Sequence, residues 1–158
     1  MNDNKQLPLR NGVGIILLNK ENKVFVGKRI DNPKNFWQMP QGGVNQNEKL
    51  LQAAKRELEE ETSIKSVKIV KEMNEWLEYE LPQSLLGKVL EGKYRGQRQK
   101  WFVMKFVGRE EEINVKTKNP EFLDWKWIDF SKLPSIAVDF KVDLYKKLKR
   151  ELNFLIKN

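Results

Sequence analysis

Residues 42–64 have the sequence GGVNQNEKLLQAAKRELEEETSI, which combines a glycine pair with a helical pattern ending in glutamates. The pattern predicts a short glycine turn followed by a helix from about Asn47 to Glu61. The helix is expected to bury an apolar ridge of Leu51, Ala54 and Leu58. Five glutamates fall within this stretch of an otherwise basic chain. The position of these glutamates relative to the apolar ridge indicates the function of the helix.

Three of these glutamates lie on one face of the predicted helix. Glu57, Glu60 and Glu61 are three and four residues apart, so their side chains are neighbours beside the ridge. Each like-charged pair costs roughly 0.2–0.5 kcal/mol, and the helix dipole disfavours anions at this end. A bound divalent metal would relieve both costs. The alternative is a solvated charged face, which is what most glutamate runs are.

The composition narrows the chemistry. The chain has 158 residues, no cysteine and no histidine, which leaves carboxylates, lysine, tyrosine, hydroxyls or metal-activated water for catalysis. Carboxylate oxygens favour magnesium, manganese or calcium over zinc. The net charge of +8 suits polyanionic partners, although it also fits a charge kept for solubility.

Sequence features predict one soluble, cytoplasmic domain spanning residues 1–158, without a membrane segment. Residues 1–10 are polar and do not resemble a targeting signal. The longest apolar run, Val13–Leu18, is too short to span a bilayer. The absence of cysteine suits a reducing compartment. No repeat or linker divides the chain.

The rest of the chain predicts strands around the acidic helix. The candidate strands are Gly12–Leu18, Val24–Lys28, Phe36–Pro40, Ser66–Glu72, Glu75–Leu81, Trp101–Val107 and Glu121–Ile128. The first two are expected to form a hairpin. A closing helix from about Ile136 to Ile156 is expected to bury Tyr145, Leu148, Leu152 and Leu155. The predicted fold class is α+β, an α/β/α sandwich with a mixed central sheet between helical layers.

Two segments are predicted to be loops. Residues 29–35 are polar and contain Pro33, and residues 82–99 form a longer excursion with three glycines. Six basic residues against one acid, Glu91, occupy positions 88–105: Lys88, Lys93, Arg95, Arg98, Lys100 and Lys105. These side chains would form a phosphate clamp facing the acidic metal site.

The spacing of residues 42–64 resembles the Nudix box, G-x5-E-x7-R-E-U-x-E-E-x-G-U, where U is an apolar residue. Gly42, Glu48, the segment Arg56–Glu61 and Ile64 occupy its fixed positions. Ser63 replaces the last glycine. Serine has no preference for positive φ, so the departure affects the geometry of the helix end more than the metal site.

The resemblance implies a Nudix fold and a role for each matching residue. In Nudix hydrolases the glutamates matching Glu57, Glu60 and Glu61 bind magnesium, for which manganese is an expected substitute. The glycine matching Gly42 lies close to the metal through its backbone. The arginine matching Arg56 forms ion pairs that orient the carboxylates, and Glu48 supports that network, while Glu59 is expected to be solvated.

Further segments resemble the bacterial RNA pyrophosphohydrolases, a Nudix group closely related to dinucleoside polyphosphate hydrolases. The segments are Trp37–Gly43, Trp76–Pro82, Gly96–Phe102 and Pro120–Phe122. In that group the glutamate of the Pro-Glu-Phe segment approaches the metals, which makes Glu121 the fourth acidic site residue. Without the resemblance, Glu121 would be interpreted as an exposed carboxylate at a strand end.

Four more residues are candidates for substrate binding, two of them by the same resemblance. Arg29 matches an arginine that contacts phosphate, and Phe140 matches an aromatic that stacks on a base. The alternatives are a surface arginine and a core phenylalanine. Tyr79 and Lys100 are candidates for phosphate contacts, but strand alternation equally allows either side chain to point elsewhere.

These features together predict a magnesium-dependent hydrolase of phosphoanhydride bonds. The expected substrates are the triphosphorylated 5′ end of RNA or a nucleotide polyphosphate such as diadenosine tetraphosphate, with no obligate protein partner. One alternative is a pyrophosphatase of small nucleotides such as ADP-ribose or a nucleoside triphosphate. The other is a non-catalytic nucleotide- or RNA-binding module, against which the intact glutamate set counts.

Overall fold

A mixed seven-stranded sheet between two helices forms the framework of the protein. The computed structural model describes residues 7–31 and 34–156. Its strands are β1 Leu9–Leu18, β2 Val24–Arg29, β3 Trp37–Gln38, β4 Gln41–Gly43, β5 Val67–Glu80, β6 Gly96–Phe106 and β7 Phe122–Ile128. The helices are α1 Leu50–Thr62 and α2 Val142–Ile156. The α+β class and the sheet between helical layers are confirmed.

The sheet is built around β1. Strand β1 pairs in parallel with β6 and antiparallel with β2 and β4. The main order is β3-β2-β1-β6-β5, and β7 pairs with β2. The predicted hairpin of the first two strands is confirmed, since β1 and β2 pair in antiparallel orientation. Because β1 has partners on both sides and helices above and below, it reads as the continuous apolar run seen in the sequence.

Alternation along the central strands divides the core into two layers. On one face, Val13, Ile15 and Leu17 pack with Ala54 and Leu58 of α1. On the other face, Ile16 and Leu18 pack with Trp101 and with Tyr145 of α2. Gly14 makes room for Trp101, because a Cβ at residue 14 would lie 2.4 Å from the indole ring.

Helix α1 is shorter at its start than the pattern predicts. It begins at Leu50, and the predicted first residue, Asn47, has a positive φ of 65°. Gln52 Oε1 accepts a hydrogen bond from the backbone N–H of Lys49 at 3.3 Å. The prediction for Leu51 is wrong: this side chain is 36% exposed, and Ala53 takes its place in the core.

Several strand boundaries differ from the predictions. Residues 41–43 form strand β4 rather than a turn, because both glycines pair with β1. The two strands predicted between residues 66 and 81 are one strand, β5, with register shifts between Ile69 and Lys71 and between Glu72 and Trp76. Strand β6 begins at Gly96, inside the predicted loop, and the predicted strand 36–40 is reduced to β3.

The closing helix also starts later than predicted. Helix α2 begins at Val142, after a short 3-10 turn at Asp139–Lys141. Tyr145, Leu148 and Leu152 are buried as predicted, but Leu155 is 37% exposed and Ile156 is buried instead. The prediction involving Pro33 lies outside the described residues. Within the described ranges, no helix is long and apolar enough to cross a membrane.

Ser63 adopts the left-handed conformation that a glycine usually supplies. Its φ and ψ are 68° and 8°, and its backbone N–H donates to Glu59 O at 2.8 Å, which closes α1. Its hydroxyl donates to Asn114 O at 2.8 Å. Replacement of the glycine by Ser63 therefore preserves the left-handed geometry of the helix end. It also adds the hydrogen bond from the serine hydroxyl to Asn114 O.

Candidate active site

The last turns of α1 place three carboxylates at the edge of a cleft of about 920 Å³. Glu57, Glu60 and Glu61 line this cleft, and so does Glu121, just before β7. We call it the carboxylate cleft. All four acidic residues predicted from the sequence therefore border one space. Glu59, expected to be solvated, also borders it, and its carboxylate lies 3.6 Å from Lys65 Nζ.

Arg56 forms hydrogen bonds with residues from both the beginning and the end of the stretch 42–64. Its guanidinium bonds both carboxylate oxygens of Glu48, at 2.8 and 3.0 Å, and Glu57 Oε1 at 2.7 Å. It also donates to Glu60 Oε2 at 3.2 Å and to Gly43 O at 2.8 Å. These contacts are the ones expected of an arginine that orients carboxylates, and Arg56 also holds the pKa of Glu48 below its usual range.

Glu61 is the most deeply buried of the site carboxylates. Its side chain is almost wholly enclosed, and Oε2 accepts the backbone N–H of Gln41 at 3.2 Å. Burial, followed by the charges of Glu57 and Glu121, raises the pKa of Glu61 well above its ordinary value. An ionised Glu61 is therefore costly unless a cation approaches it.

Gly42 allows strand β4 to approach α1 closely. A Cβ at residue 42 would lie 1.9 Å from the carboxyl carbon of Glu57. The glycine is therefore required by the position of Glu57, in line with its predicted place beside the metal. Burial raises the pKa of Glu57, and Arg56 partly offsets this effect.

A second cavity of about 620 Å³ lies beyond β4. Aromatic and apolar side chains form most of its wall: Phe36, Trp37, Tyr79, Leu81, Leu85, Val89, Leu90, Val138 and Phe140. We call it the aromatic cavity. The rings of Phe140 and Tyr79 have centroids 5.7 Å apart. Phe140 is thus partly packed against the core and also lines the aromatic cavity.

Arg29 joins the two cavities. It lines the aromatic cavity, and its Nη2 lies 3.6 Å from Glu121 Oε2 in the carboxylate cleft. Asp31, which the sequence did not single out, holds it with two hydrogen bonds of 2.8 and 2.7 Å. Gln41 makes a second junction, since its side chain lines the aromatic cavity while its N–H bonds Glu61.

A row of amides forms the polar floor of the aromatic cavity. Gln97 donates to the Tyr79 hydroxyl at 2.7 Å, and Gln99 donates to Gln41 Oε1 at 3.1 Å. Gln97 Oε1 and Gln38 Nε2 are buried and have no hydrogen-bond partner among the described residues. Buried polar atoms are rarely left unpaired, so these two atoms are free to bond a water molecule or a polar ligand. The alternating glutamines before Trp101 were the available sequence signal.

Lys141 is the most important residue that the sequence prediction missed. It is buried beside Phe140, and its Nζ donates to Gln38 Oε1 at 2.9 Å and lies 5.3 Å from the centre of the Tyr79 ring. Burial, together with Arg29, lowers its pKa to about 7. A lysine one position after a candidate stacking residue gave no sign of burial.

Arg10 is a second residue that the sequence prediction missed. Its guanidinium lies against Gly43, where a Cβ would come within 2.2 Å of Arg10 Nη2. Arg10 therefore brings a positive charge next to β4, close to both cavities. Its position at the start of an apolar strand gave no functional signal.

The structure does not bring Lys100 to the site. Its Nζ donates to Asn74 O at 2.7 Å and lies 5.7 Å from the Trp76 ring centre. Strand alternation places it on the face opposite Gln99. The predicted phosphate clamp is also dispersed: Arg95 pairs with Glu80. Of the six basic residues, Lys88 lines the aromatic cavity.

The residues of the carboxylate cleft fit a hard divalent cation. Within the described part of the chain, no three His, Cys, Asp or Glu side chains are arranged so that they could hold a metal ion. However, Glu61 is buried and Glu57 is partly buried, the pKa values of both are raised, and they share the cleft with Glu121. Oxygen donors of this kind suit magnesium or manganese.

Comparison with known proteins identifies the family. The NUDIX domain model matches residues 8–148. The chain belongs to the Nudix family. Members of this family generally depend on a divalent metal, which agrees with the chemistry of the carboxylate cleft.

Curated relatives of the chain carry a consistent name. An RNA pyrophosphohydrolase of Pelagibacter ubique (strain HTCC1062) is 60% identical over 157 residues and covers 99% of each chain. An RNA pyrophosphohydrolase of Bartonella clarridgeiae is 48% identical, covering 94% of this chain and 92% of its own.

Solved structures share the Nudix fold at lower identity. The E. coli dihydroneopterin triphosphate pyrophosphohydrolase has a TM-score of 0.70 at 20% identity, covering 89% of this chain and 96% of its own. A C. elegans Ap4A hydrolase has a TM-score of 0.64 at 22% identity, covering 93% and 98%. At these identities the likeness concerns the fold alone.

Proposed function

We propose that this Nudix protein is a magnesium-dependent hydrolase that removes pyrophosphate from the 5′ end of triphosphorylated RNA. The observation that carries the proposal is the junction at Arg29, where an aromatic cavity meets the cleft that the four candidate metal-binding glutamates line. A nucleotide end needs both spaces, one for a base and one for its phosphates. The names of the relatives at 60% and 48% identity support the RNA substrate.

In the proposed site, Glu57, Glu60, Glu61 and Glu121 hold magnesium, with the backbone of Gly42 beside it. Manganese is expected to substitute. The metal supplies neutralisation of phosphate charge and activation of the attacking water. A carboxylate among the four glutamates accepts the proton of that water. Arg56 and Glu48 keep the carboxylates in position.

The aromatic cavity binds the nucleotide part of the substrate. Phe140 stacks on a base, a contact typically worth about 1–3 kcal/mol. Arg29 and Lys141 contribute positive charge to the phosphates next to the base, and the Tyr79 hydroxyl contributes a hydrogen bond. Attack of water on the phosphoanhydride then yields a monophosphorylated RNA end and pyrophosphate.

Diadenosine tetraphosphate is the second candidate substrate. It presents the same phosphoanhydride bonds to the carboxylate cleft, and a cleft of about 920 Å³ offers room for its second nucleoside as well as its phosphates. Its products would be a nucleoside triphosphate and a monophosphate. The net charge of +8 favours RNA, because phosphate contacts dominate nucleic-acid affinity.

A side-by-side assay with magnesium tests the proposal. The purified protein receives triphosphorylated RNA, diadenosine tetraphosphate, ADP-ribose and a nucleoside triphosphate under identical conditions. We expect the largest kcat/KM for triphosphorylated RNA. A far higher value for ADP-ribose would contradict the proposed substrate class, and binding of RNA without any turnover would support the non-catalytic alternative.

The proposed setting is the cytoplasm, where RNA 5′ ends are available and a chain without cysteine is at no disadvantage. We propose that residues 1–158 act as one Nudix domain without an obligate protein partner. The match of the family model to residues 8–148 supports this organisation.

A further inference from the structure

The carboxylate cleft has a second wall that does not consist of acids. Lys65, Thr117 and Lys118 line the cleft beyond the end of α1, and we call these three residues the outer wall. Neither the Nudix box nor the segments that resemble related enzymes include them. Their chemistry, two ammonium groups and a hydroxyl, is that of an anion-binding surface.

Hydrogen bonds fix the outer wall to the helix that carries the carboxylates. The backbone N–H of Asn114 donates to Thr62 O at 2.9 Å, and the Ser63 hydroxyl donates to Asn114 O at 2.8 Å. Glu112 Oε2 accepts the N–H groups of Lys65 and Ser66 at 2.7 and 2.9 Å. The loop before Glu121 is therefore held against the end of α1.

The outer wall has donors that the described residues leave unused. Thr117 Oγ1 is buried and has no hydrogen-bond partner among them. Within the same residues Lys118 forms no ion pair, and Lys65 reaches Glu59 at 3.6 Å, with both side chains largely exposed. An exposed pair of this kind contributes little to stability. Both ammonium groups are therefore exposed and available to an anion.

The order of the two cavities determines which phosphates arrive at this wall. Arg29 and Gln41 stand between the aromatic cavity and the carboxylate cleft. A substrate whose base occupies the aromatic cavity extends its phosphates past Arg29 to the carboxylates, and from there toward Lys65 and Lys118. The phosphates farthest from the base therefore face the outer wall.

We propose that the outer wall is a subsite for the terminal phosphate of a triphosphorylated 5′ end and for inorganic pyrophosphate, a proposal that rests on the function proposed above. A terminal phosphate carries close to two negative charges at neutral pH. An internal phosphate, such as those of a dinucleoside polyphosphate, carries one. Two lysines that line the cleft after the end of α1 therefore favour a triphosphate end, whose third phosphate is free, over a shorter end or a dinucleoside polyphosphate.

The test compares two double variants with the same loss of charge. Lys65→Met with Lys118→Met removes both ammonium groups of the outer wall. Lys68→Met with Lys116→Met is the matched control, because both lysines are exposed and neither lines the cleft. Calorimetry measures the binding of inorganic pyrophosphate in the presence of magnesium. Kinetics measures kcat/KM for tri- and diphosphorylated RNA of one sequence.

For the outer-wall variant we expect pyrophosphate to bind about tenfold more weakly. We also expect the ratio of kcat/KM for triphosphorylated over diphosphorylated RNA to fall about fivefold or more. The control should change neither quantity by more than about twofold.

Unchanged pyrophosphate binding in the outer-wall variant would overturn the subsite, as would equal effects in both double variants or equal losses on both RNAs. Failure of the proposed function looks different, because the unmodified protein would then turn over neither RNA. Pyrophosphate binding is measured without turnover, so it decides the question of the subsite in that case too.

Discussion

At the scale of single residues, we expect the burial of Glu61 to lower the stability of the metal-free protein, although its carboxylate is needed for turnover. We expect Glu61→Gln to lower turnover at least about 100-fold while raising the metal-free free energy of unfolding by about 1 kcal/mol. The amide oxygen still accepts the Gln41 N–H, and a buried charge beside Glu57 and Glu121 disappears. Urea unfolding in a chelator and turnover with magnesium measure the two effects. Turnover at the unmodified level would contradict the metal site, and the exposed Glu151→Gln serves as the control.

Lys141 predicts a pH dependence of stability. Its pKa is about 7 in the folded protein and 10.5 ordinarily, so between these values the unfolded chain holds more protons and stability rises with pH. Below pH 7 the folded protein bears the full cost of a buried ammonium. Lys141→Met should therefore raise the free energy of unfolding at pH 6 by about 2 kcal/mol.

The gain from Lys141→Met should shrink as the pH rises from 7 toward 10, because the unmodified protein then loses the charge as well. Urea unfolding at pH 6, 8 and 9.5 measures it. Lys146→Met, an exposed change in the adjoining helix α2, is the control and should give no such trend. A gain from Lys141→Met that stays constant across the three pH values would show that Lys141 is charged throughout.

Ser63 allows its backbone strain to be separated from its side-chain bond. Ser63→Ala keeps the positive φ and its strain, and it loses the hydroxyl bond to Asn114 O, which lowers stability. Ser63→Gly loses the same bond but removes the strain. We expect the glycine variant to be about 1 kcal/mol more stable than the alanine variant in chemical unfolding. Equal stabilities would mean that residue 63 leaves the left-handed region.

At the scale of elements, the spacing between β4 and α1 controls the site. Gly42→Ala introduces a Cβ where the Glu57 carboxyl now lies, and that flexible side chain must move away. We expect a loss of kcat/KM of about tenfold or more with a loss of stability of about 1–2 kcal/mol. Gly14→Ala is the comparison, because its Cβ would meet the rigid Trp101 ring.

The two glycine variants should therefore differ in kind. Gly14→Ala should lose more stability than Gly42→Ala, since an indole in a packed core has little room to move. Chemical unfolding and steady-state kinetics on both proteins measure the contrast. Full activity in Gly42→Ala would show that the position of Glu57 tolerates the extra methyl group.

How far the sequence predicted each element depended on its length and on its periodicity. Strand β1 and the end of α1 follow from apolar and acidic patterns that repeat over several residues. Strand β4 has three residues, two of them glycine, and forms only because β1 offers its edge. Leu51 and Leu155 have the right spacing for burial, yet each lies at the border of its helix's buried face.

The site was predictable where charge recurs at helical spacing, and it was not where folding alone creates the environment. Glu57, Glu60 and Glu61 are visible from their spacing and from the Nudix box. Lys141 is an ordinary lysine in the sequence, and its burial comes from the approach of the 3-10 turn to β3. Lys100 shows the converse, since its charge was clear but strand alternation directs it away.

At the scale of the whole molecule, the net charge predicts how salt affects different substrates. A protein of charge +8 gains affinity for RNA by releasing counterions, so kcat/KM for a 12-nucleotide triphosphorylated RNA should fall steeply with salt. Diadenosine tetraphosphate, which has fewer charges, should show a smaller slope. Kinetics from 50 to 300 mM salt measures both. Equal slopes would indicate that the protein contacts little beyond the first nucleotides.

The parallel pairing of β1 with β6 has a consequence for the order in which the protein is made. Leu9 aligns with Gly96 and Leu18 with Lys105. The ribosome must therefore synthesise most of the chain before β1 can pair with β6. Until then an apolar segment near the amino terminus is exposed and prone to associate with other chains. Nascent chains ending before residue 96 should accordingly be protease-sensitive and bind chaperones, and protection should appear only once β6 has left the exit tunnel.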